Sequence, residues 1–540
     1  MKIKGITDCR WVSSLWIILV GGFIFRSLIA YFLPVGFDEA YYFLYSRHLN
    51  WSYFDHPLAV AWSAGSGLWL TGYTSPFTVR LGALTLFTGS LWLLYATGRQ
   101  LFGHKVGLLS SAIASLCPLF FLSFGTLVAP DNVLIFFWSL ALYGCSKEFF
   151  PKEKKTYQPT PKLVWISLAL GLCCLSKYHG FLLGLSLVAF CSTHRIYRSA
   201  LTSKWLWVGA VVFAIVISPI FYWNAQHNWI SFRFQLGDRF AEYDDLNHSG
   251  YSISALLGVI GAQIGYLFPS IALPLWWTTT KAAIQQVSQK TRIYDINLHQ
   301  ANKISFVLWS GLPTATAFIL IGGATHTFPA WPAPGLWSLT LLLGQAASHW
   351  NSKKVYRWLQ MTGWIIGLLL LFALSHLTLG TLQKPSEYAL FGGVISAQDD
   401  PSTQLIDVVQ LRKLLGHSKA FKDAIAQSSF IVTNKYWLSG YFAMAMPPEI
   451  SKAVSLPVTS FTVDPRGHAF WFNQSNWKGK DALLISLADT TQAEFLSELG
   501  PYFEKITPLT EIATQRGGEN SEIFYLYQAS NLIKPYPYPY

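Results

Sequence analysis

The first 380 residues alternate long apolar runs with short polar connections. A membrane-crossing helix needs about 20 predominantly apolar residues, and eleven runs approach or exceed that length. The runs cover residues 11–34, 77–98, 106–124, 131–146, 163–177, 179–193, 205–223, 251–279, 304–323, 330–348 and 358–380. The fifth and sixth are short, which is typical of tilted or partly buried helices. The pattern predicts a polytopic α-helical membrane protein with about 11 transmembrane helices.

The connection between the first two runs, residues 35–76, is long and carries patterns of its own. Residues 40–49 have helical character, and residues 57–72 form a shorter apolar stretch. We expect both to be helices that lie along the membrane surface.

Residues 382–540 have an ordinary soluble composition and no long apolar run. The helical segments expected there are 405–415 and 492–503, and the expected strands are 430–432, 483–486 and 523–527. The sequence therefore predicts a transmembrane domain at 1–381, which includes the outer loop 35–76. It predicts a small soluble α/β or α+β domain at 382–540.

Composition supports a membrane protein and argues against nucleic acid as a partner. The chain is 52% hydrophobic and 12% charged, whereas soluble domains carry about 25% charged residues. The net charge of +12 is uneven: 1–381 hold 26 basic and 12 acidic residues, and 382–540 hold 13 and 15. None of the six cysteines lies in 382–540, so no disulfide framework is implied there.

The distribution of Lys and Arg predicts the orientation. One set of connections holds 20 basic residues, and the opposite set holds five. The basic set is 1–10, 99–105, 147–162, 194–204, 281–303 and 353–357. The positive-inside rule makes this side cytoplasmic. We read the first run as a retained span. We therefore expect a multi-pass protein of the plasma (inner) membrane, with its N-terminus cytoplasmic and its C-terminal domain extracytoplasmic.

Acidic residues of the membrane part gather on the opposite, outer side. Asp38 and Glu39 follow the first run directly, Asp55 precedes His56 in the same loop, and Asp131 opens the fourth run. A simple connector would be rich in Gly, Ser and Asn instead of aromatic and acidic residues. This concentration predicts a functional site at the outer membrane face.

Several ordered segments carry a family resemblance. They are DEAYY at 38–42, YFDHP at 53–57, TVRLG at 78–82, RQLFG at 99–103, APD at 129–131, LSKY at 175–178, WNAQHNWISF at 223–232 and FPAWPAP at 328–334. The set resembles the GT-C glycosyltransferases that use polyprenyl-phosphate sugars. It is most similar to the bacterial relatives of protein O-mannosyltransferases and of lipid A aminoarabinose transferase. The aminoarabinose pattern has Lys before Pro, and this chain has His56, so the resemblance does not fix the sugar.

The resemblance implies transfer of a sugar, with inversion, from a polyprenyl-phosphate donor to a lipid, glycan or protein acceptor. Such transfer needs a base at the acceptor hydroxyl and positive charge at the departing phosphate. We assign Asp38 as the base, with Glu39 and Asp131 supporting the acceptor or an ion. The alternative for each acid is a residue at a helix start that complements the helix dipole or caps the helix.

Five cations are candidates for the donor phosphate: His56, Arg80, Lys177, Arg233 and Arg239. Arginine suits bidentate phosphate contacts. The alternatives are a solvated loop face for Arg233 and Arg239, and snorkelling of Lys177 to the interface. Carboxylates with His56 are able to hold a divalent cation. No close metal-ligand spacing is present, so metal use stays open.

Two other classes of protein compete with the enzyme. A secondary transporter would show internally repeated halves and ionisable residues near the bilayer midplane. No repeat is visible here, and the acidic groups gather at one face. A polytopic scaffold that presents residues 382–540 would not require Asp38, Glu39 and Asp131 together.

Overall fold

All eleven predicted apolar runs contain helix. The computed structural model describes residues 12–152, 156–238, 251–289, 298–453, 456–487 and 492–540. The membrane-part helices are α1 (Val12–Phe32), α2 (Phe37–Arg47), α3 (Ala59–Thr71), α4 (Pro76–Phe102), α5 (His104–Leu116), α6 (Pro130–Phe149), α7 (Lys162–Ser176), α8 (Gly180–Thr193), α9 (Lys204–Gln226), α10 (Ile230–Arg233), α11 (Ile253–Leu267), α12 (Pro269–Gln289), α13 (Leu298–Ile321), α14 (Ala333–Ser348) and α15 (Ser352–Leu379).

Five of the described helices are long and apolar enough to cross a membrane by themselves: α1, α4, α9, α13 and α15. The pair α11 and α12 passes the same test when taken together, which gives six. Helices α7 and α8 are apolar but short, as their sequence runs predicted. The total of about 11 spans therefore stays a prediction.

The run 251–279 is not one continuous span, in contrast to the prediction. Helices α11 and α12 meet at an angle of 116°. Phe268 separates them and has a left-handed backbone with φ of +73°. The residue before a proline is disfavoured in the α conformation, and Pro269 follows. The sequence thus contained the signal for this break.

Close helix packing in the membrane part depends on small residues and paired tryptophans. A Cβ on Gly335 of α14 would lie 2.3 Å from the Gly311 carbonyl oxygen of α13. Only glycine allows the backbones to approach so closely. Two buried tryptophans join α6 to α14, because Trp138 donates to Ser338 at 2.9 Å and Trp337 donates to Ser139 at 2.9 Å.

The chain divides into two compact units. The first holds the described parts of Met1–Ser27, His56–Val60 and Ala83–Leu368. The second holds Leu28–Asp55, Ala61–Gly82 and the described parts of Leu369–Tyr540. Most of the first outer loop therefore belongs to the same unit as the C-terminal region. The boundary at 381/382 stays a prediction.

The C-terminal region is built on a mixed sheet. Its strands are β1 (Gln383–Lys384), β2 (Ile395–Ser396), β3 (Phe430–Thr433), β4 (Val458–Ser460), β5 (Ala482–Leu487), β6 (Phe503–Arg516) and β7 (Glu519–Leu532). β1 and β2 pair with each other, and the other five run in the order β4-β3-β5-β7-β6. β4, β3 and β5 are parallel, whereas β7 and β6 are antiparallel additions. All of β3 and β5 are buried, which matches their unbroken apolar sequence.

The helices of the C-terminal region are α16 (Val408–His417), α17 (Lys419–Gln427), α18 (Leu438–Ala445), α19 (Pro448–Ala453), α20 (His468–Trp471) and α21 (Gln492–Leu499). The prediction of a C-terminal α/β or α+β region is confirmed. The expected helices at 405–415 and 492–503 correspond to α16 and α21. The three expected strands lie within β3, β5 and β7.

Candidate active site

The acid pair lies at the start of α2, and its two members face different surroundings. Gly36 caps the helix, and its N–H donates to the Glu39 carboxylate at 3.0 Å. Glu39 is buried, whereas Asp38 is exposed. Negative charge is favourable in the first turn of a helix, where backbone N–H groups lack partners. Helix start geometry therefore explains both acids, but only Asp38 is open to solvent.

Glu39 forms a buried ion pair with Arg80 of α4. The Arg80 Nε and Nη2 atoms donate to the two carboxylate oxygens at 2.8 and 2.5 Å. The remaining N–H groups donate to carbonyl oxygens at the end of the first span: Ala30 at 2.9 Å, Leu33 at 2.6 Å and Pro34 at 2.8 Å. The Arg80 side chain is 1% exposed. A cation suits these carbonyls because a helix C-terminus lacks internal donors.

This arrangement favours a structural role for Arg80 over the phosphate contact that the sequence suggested. A guanidinium has five N–H donors, and the contacts with Glu39 and the three carbonyls use all of them. A phosphate would have to displace one of these partners. The Glu39 carboxylate is likewise held in the interior by Arg80.

A second acid of the loop, Asp55, is buried beside two tyrosines and an arginine. The hydroxyls of Tyr41 and Tyr45 both donate to Asp55 Oδ1, the first at 3.4 Å. Arg466 of the C-terminal region places Nη1 3.5 Å from Asp55 Oδ2. Its guanidinium also lies over the Tyr436 ring, 4.1 Å from the centroid. A buried carboxylate needs such compensation.

The charge states around Asp55 follow from these contacts. Burial lowers the pKa of Arg466, but nearby Tyr436 and the carboxylates of Asp55 and Asp464 raise it well above its ordinary value, so it stays charged. Burial raises the pKa of Tyr436, and the charge of Asp38 raises it further. The exposed Asp38 thus belongs to the same electrostatic neighbourhood.

In the other unit, Asp131 and Lys177 form a buried ion pair. Asp131 lies in the first turn of α6, and Lys177 ends α7. The Lys177 ammonium donates to both carboxylate oxygens, at 2.9 and 3.0 Å. The Asn132 side chain caps the α6 backbone by accepting from the Ala129 N–H at 2.7 Å. The pair therefore joins the first turn of α6 to the residue that follows α7.

The remaining predicted cations are placed differently. His56 is 5% exposed. Arg233 ends the short helix α10 and is exposed. Arg239 lies outside the described residues. In the described part of the chain, no group of three or more His, Cys, Asp or Glu side chains is arranged to hold a metal ion.

The structure thus pairs two predicted acids with two predicted cations, Glu39 with Arg80 and Asp131 with Lys177. The sequence had given the members of each pair separate roles. It named Asp55 among the outer acids without giving it a role, and it missed Arg466. The YFDHP segment was a signal for Asp55, but Arg466 lies in a stretch of ordinary composition.

The whole fold matches two solved structures of one protein. The structure of ArnT from Cupriavidus metallidurans bound to undecaprenyl phosphate superposes with a TM-score of 0.56 at 16% identity. The match covers 94% of this chain and 97% of that one. The apo structure of the same protein matches with a TM-score of 0.56 at 14% identity, covering 96% and 98%.

This fold is shared with ArnT, and the long apolar helices are those of a multi-pass membrane protein. Residues 55–223 match the model of the family described as dolichyl-phosphate-mannose-protein mannosyltransferase. The predicted resemblance and the predicted fold class are confirmed.

One curated relative matches a part of the chain. It is the lipid A galacturonosyltransferase RgtD of Rhizobium johnstonii (strain DSM 114642 / LMG 32736 / 3841), 22% identical over 267 residues. The match covers 48% of this chain and 53% of the relative, so the chain spans about half the length of that protein. None of these likenesses supports the transporter alternative.

Proposed function

We propose that the protein transfers a sugar from a polyprenyl-phosphate donor to an acceptor at the extracytoplasmic membrane face. Asp38 carries this proposal, because it is the exposed member of an acid pair that directly follows the first span. Its neighbour Glu39 is held by Arg80. Asp38 is exposed at the surface, whereas Glu39 is buried in its pair with Arg80.

In the proposed reaction, an acceptor hydroxyl oxygen attacks the anomeric carbon of the donor sugar. The new C–O bond forms as the bond from that carbon to the phosphate oxygen breaks, and the bonding electrons leave with the polyprenyl phosphate. The Asp38 carboxylate takes the hydroxyl proton. A positioned base of this kind lowers the barrier because the developing positive charge on the nucleophile is removed.

Positive charge near the departing phosphate would stabilise the leaving group. We assign this role to His56, Arg233 and Arg239. Arg233 is exposed, and His56 follows the buried Asp55 in the chain. Lys177 is held by Asp131, and we assign that pair to the organisation of α6 and α7.

The proposed partners are a lipid donor and a lipid, glycan or protein acceptor. A solved structure of similar fold binds undecaprenyl phosphate, which supports a polyprenyl phosphate as the carrier. The similar proteins differ in their sugars, since one family is named for mannose and one relative for galacturonic acid. The proposal therefore names the class of donor, a polyprenyl-phosphate sugar, and does not name the sugar. The proposal also includes the location and orientation of the protein. It lies in the inner membrane, with its N-terminus cytoplasmic and region 382–540 extracytoplasmic.

A transfer assay tests the proposal. Purified full-length protein in detergent is incubated with a panel of labelled undecaprenyl-phosphate hexoses and pentoses and with a lipid and glycan extract of the source membrane. We expect label to move to the extract from at least one donor. Asp38→Asn should lower that transfer by about 10²–10⁴-fold, the range for a lost general base.

Asp407→Asn is a matched control, because Asp407 is also an acid at a helix start. Its carboxylate caps α16 through the N–H groups of Val409 and Gln410, and asparagine preserves such caps. This variant should transfer at the wild-type rate. Absence of transfer from every donor would refute the proposed activity, and normal transfer by Asp38→Asn would refute the assigned base.

A further inference from the structure

The C-terminal region packs directly on the helix that carries the acid pair. A Cβ on Gly440 of α18 would lie 2.0 Å from the carbonyl oxygen of Ala40 in α2. The next residue, Tyr441, donates its hydroxyl to the Val35 carbonyl at 2.8 Å. A backbone approach this close leaves no room for a side chain at position 440.

A second set of contacts joins the C-terminal region to Asp55. The Gly467 N–H donates to the Tyr41 hydroxyl at 3.0 Å, and that hydroxyl donates to Asp55. Arg466 contacts the other carboxylate oxygen of Asp55. Two neighbouring residues of the C-terminal region therefore hold the same acid through two routes.

The Arg466 side chain is itself fixed in position. Its Nε donates to Asp464 at 3.0 Å, and its guanidinium lies over the Tyr436 ring. Its backbone has φ of +46°, a left-handed conformation that is uncommon for a residue with a side chain. Strained residues persist where the surrounding contacts determine them, often at functional sites.

We propose that Arg466 is a positioning residue for the active site: it holds Asp55 in place beside Tyr41 and Tyr45 of α2, the helix whose first turn carries the proposed base Asp38. This inference rests on the proposed function. It makes the C-terminal region part of the catalytic arrangement, since a residue more than 400 positions along the chain fixes the acid of the first outer loop.

The test compares Arg466→Met, Arg466→Lys and Arg412→Met in the transfer assay, with thermal unfolding measured alongside. Arg466→Met should lower kcat by about 10- to 100-fold, the range for one lost charge-assisted contact. Arg466→Lys keeps the charge and should recover part of the rate. Arg412→Met removes a different arginine that joins the C-terminal region to the loop, through Tyr73 and Thr74, and should leave kcat unchanged.

A double-variant cycle separates positioning from general stabilisation. If Arg466 acts through Asp55, then Asp55→Asn should cost little additional rate in the Arg466→Met background, because contacting residues are non-additive. Additive losses, or a fall in kcat that matches the loss of folded protein, would overturn the inference. So would wild-type kcat in Arg466→Met. If the wild-type protein itself transfers no sugar, the proposed function fails first.

An independent observation concerns the loop after the last span. Four large apolar residues between positions 388 and 394 are exposed: Tyr388, Leu390, Phe391 and Val394. Phe391 is fully exposed and has a left-handed backbone with φ of +54°. A cluster of this kind on a soluble surface marks an interaction site.

Hydrogen bonds hold this loop beside the end of the final span. Helix α15 ends at Leu379, and the Leu390 N–H donates to the Thr381 carbonyl at 2.8 Å. The Val394 N–H donates to the Leu382 carbonyl at 2.8 Å. The apolar tip is thus tied to the first residues after α15, a helix long and apolar enough to cross a membrane.

We infer that the tip formed by residues 388–394 inserts into the outer boundary between lipid headgroups and acyl chains. Aromatic residues such as Tyr388 favour that interface, and burial of the other side chains removes apolar area from water. The loop would then fix the C-terminal region at a set height above the bilayer.

A spin label tests this insertion. Phe391→Cys is made in the full chain without its native cysteines, labelled with a nitroxide and reconstituted in vesicles of phosphatidylethanolamine and phosphatidylglycerol. The label should be more accessible to oxygen, which partitions into lipid, than to a water-soluble nickel complex. Val463→Cys is the control, since Val463 is also exposed and apolar but lies far along the chain from the span. Equal nickel accessibility at both sites would overturn the inference.

Discussion

Arg80 donates to both carboxylate oxygens of Glu39 and, with its other N–H groups, to three carbonyls at the end of the first span. Arg80 therefore holds α2, which carries the acid pair, and also supplies hydrogen-bond donors to the carbonyls at the C-terminal end of α1. This ion pair is buried, and removal of one partner leaves the other uncompensated.

We expect Arg80→Met to lower the free energy of unfolding by more than Glu39→Gln does. Breaking a buried pair costs about 3–5 kcal/mol, and the loss of Arg80 also leaves the carbonyls of Ala30, Leu33 and Pro34 without their donor. Thermal unfolding of the purified variants in detergent measures the difference. If Arg80→Met is as stable as wild type but fails to use the donor, the result would support the phosphate role that the sequence suggested.

The pair Asp131 and Lys177 should show coupling. Lys177→Met leaves a buried carboxylate unpaired, and Asp131→Asn leaves a buried ammonium, so each should lower stability. The double variant should be more stable than the sum of the two losses predicts, because neither charge then remains. Unfolding temperatures of the four proteins provide the measurement, and strictly additive losses would contradict the pairing.

The topology is testable with cysteines at exposed positions in a background without native ones. Ser497→Cys lies on α21 of the C-terminal region, and Ser352→Cys lies at the start of α15; both positions are exposed. An impermeant thiol reagent should label Ser497→Cys in intact cells and Ser352→Cys only after lysis. The reverse pattern would invert the orientation that the 20 basic residues of one side indicate.

His468 should make the protein less stable in acid. Burial lowers the pKa of this imidazole to about 3, while an unfolded histidine has a pKa of about 6.5. The stabilising contribution is therefore complete above pH of about 6.5 and falls as the pH decreases towards 3, by up to roughly 1.4 kcal/mol per pH unit.

His468→Gln isolates this contribution from other titrating groups. Glutamine is able to keep a donor near the Tyr436 carbonyl, which His468 Nε2 contacts at 2.9 Å, and it does not titrate. The difference in unfolding free energy between wild type and the variant should shrink as the pH falls from 7 to 5. A difference that is independent of pH would show that His468 takes up its proton equally in both states.

Much of the fold was predictable because it follows from local patterns. Apolar length located the helices, and short apolar runs located three of the strands. The site was harder, since its pairs join distant positions: Glu39 and Arg80 are 41 residues apart. The three carbonyls that accept from Arg80 are backbone atoms, so the residue types at those positions do not reveal the contact. Arg466 had no local signal either, because its partner Asp55 lies 411 residues away.

The neighbouring acids Asp38 and Glu39 have a consequence for how this segment tolerates length changes. Successive residues of an α-helix are rotated by about 100°, which is why one acid faces solvent and the other faces Arg80. Inserting a single residue between Gly36 and Asp38 would turn both acids by one such step. The Asp38 carboxylate would then point in a different direction, and the Glu39 carboxylate would lose its contact with Arg80. Insertions and deletions between related chains should therefore avoid residues 36–39, even though those residues lie in a loop between spans.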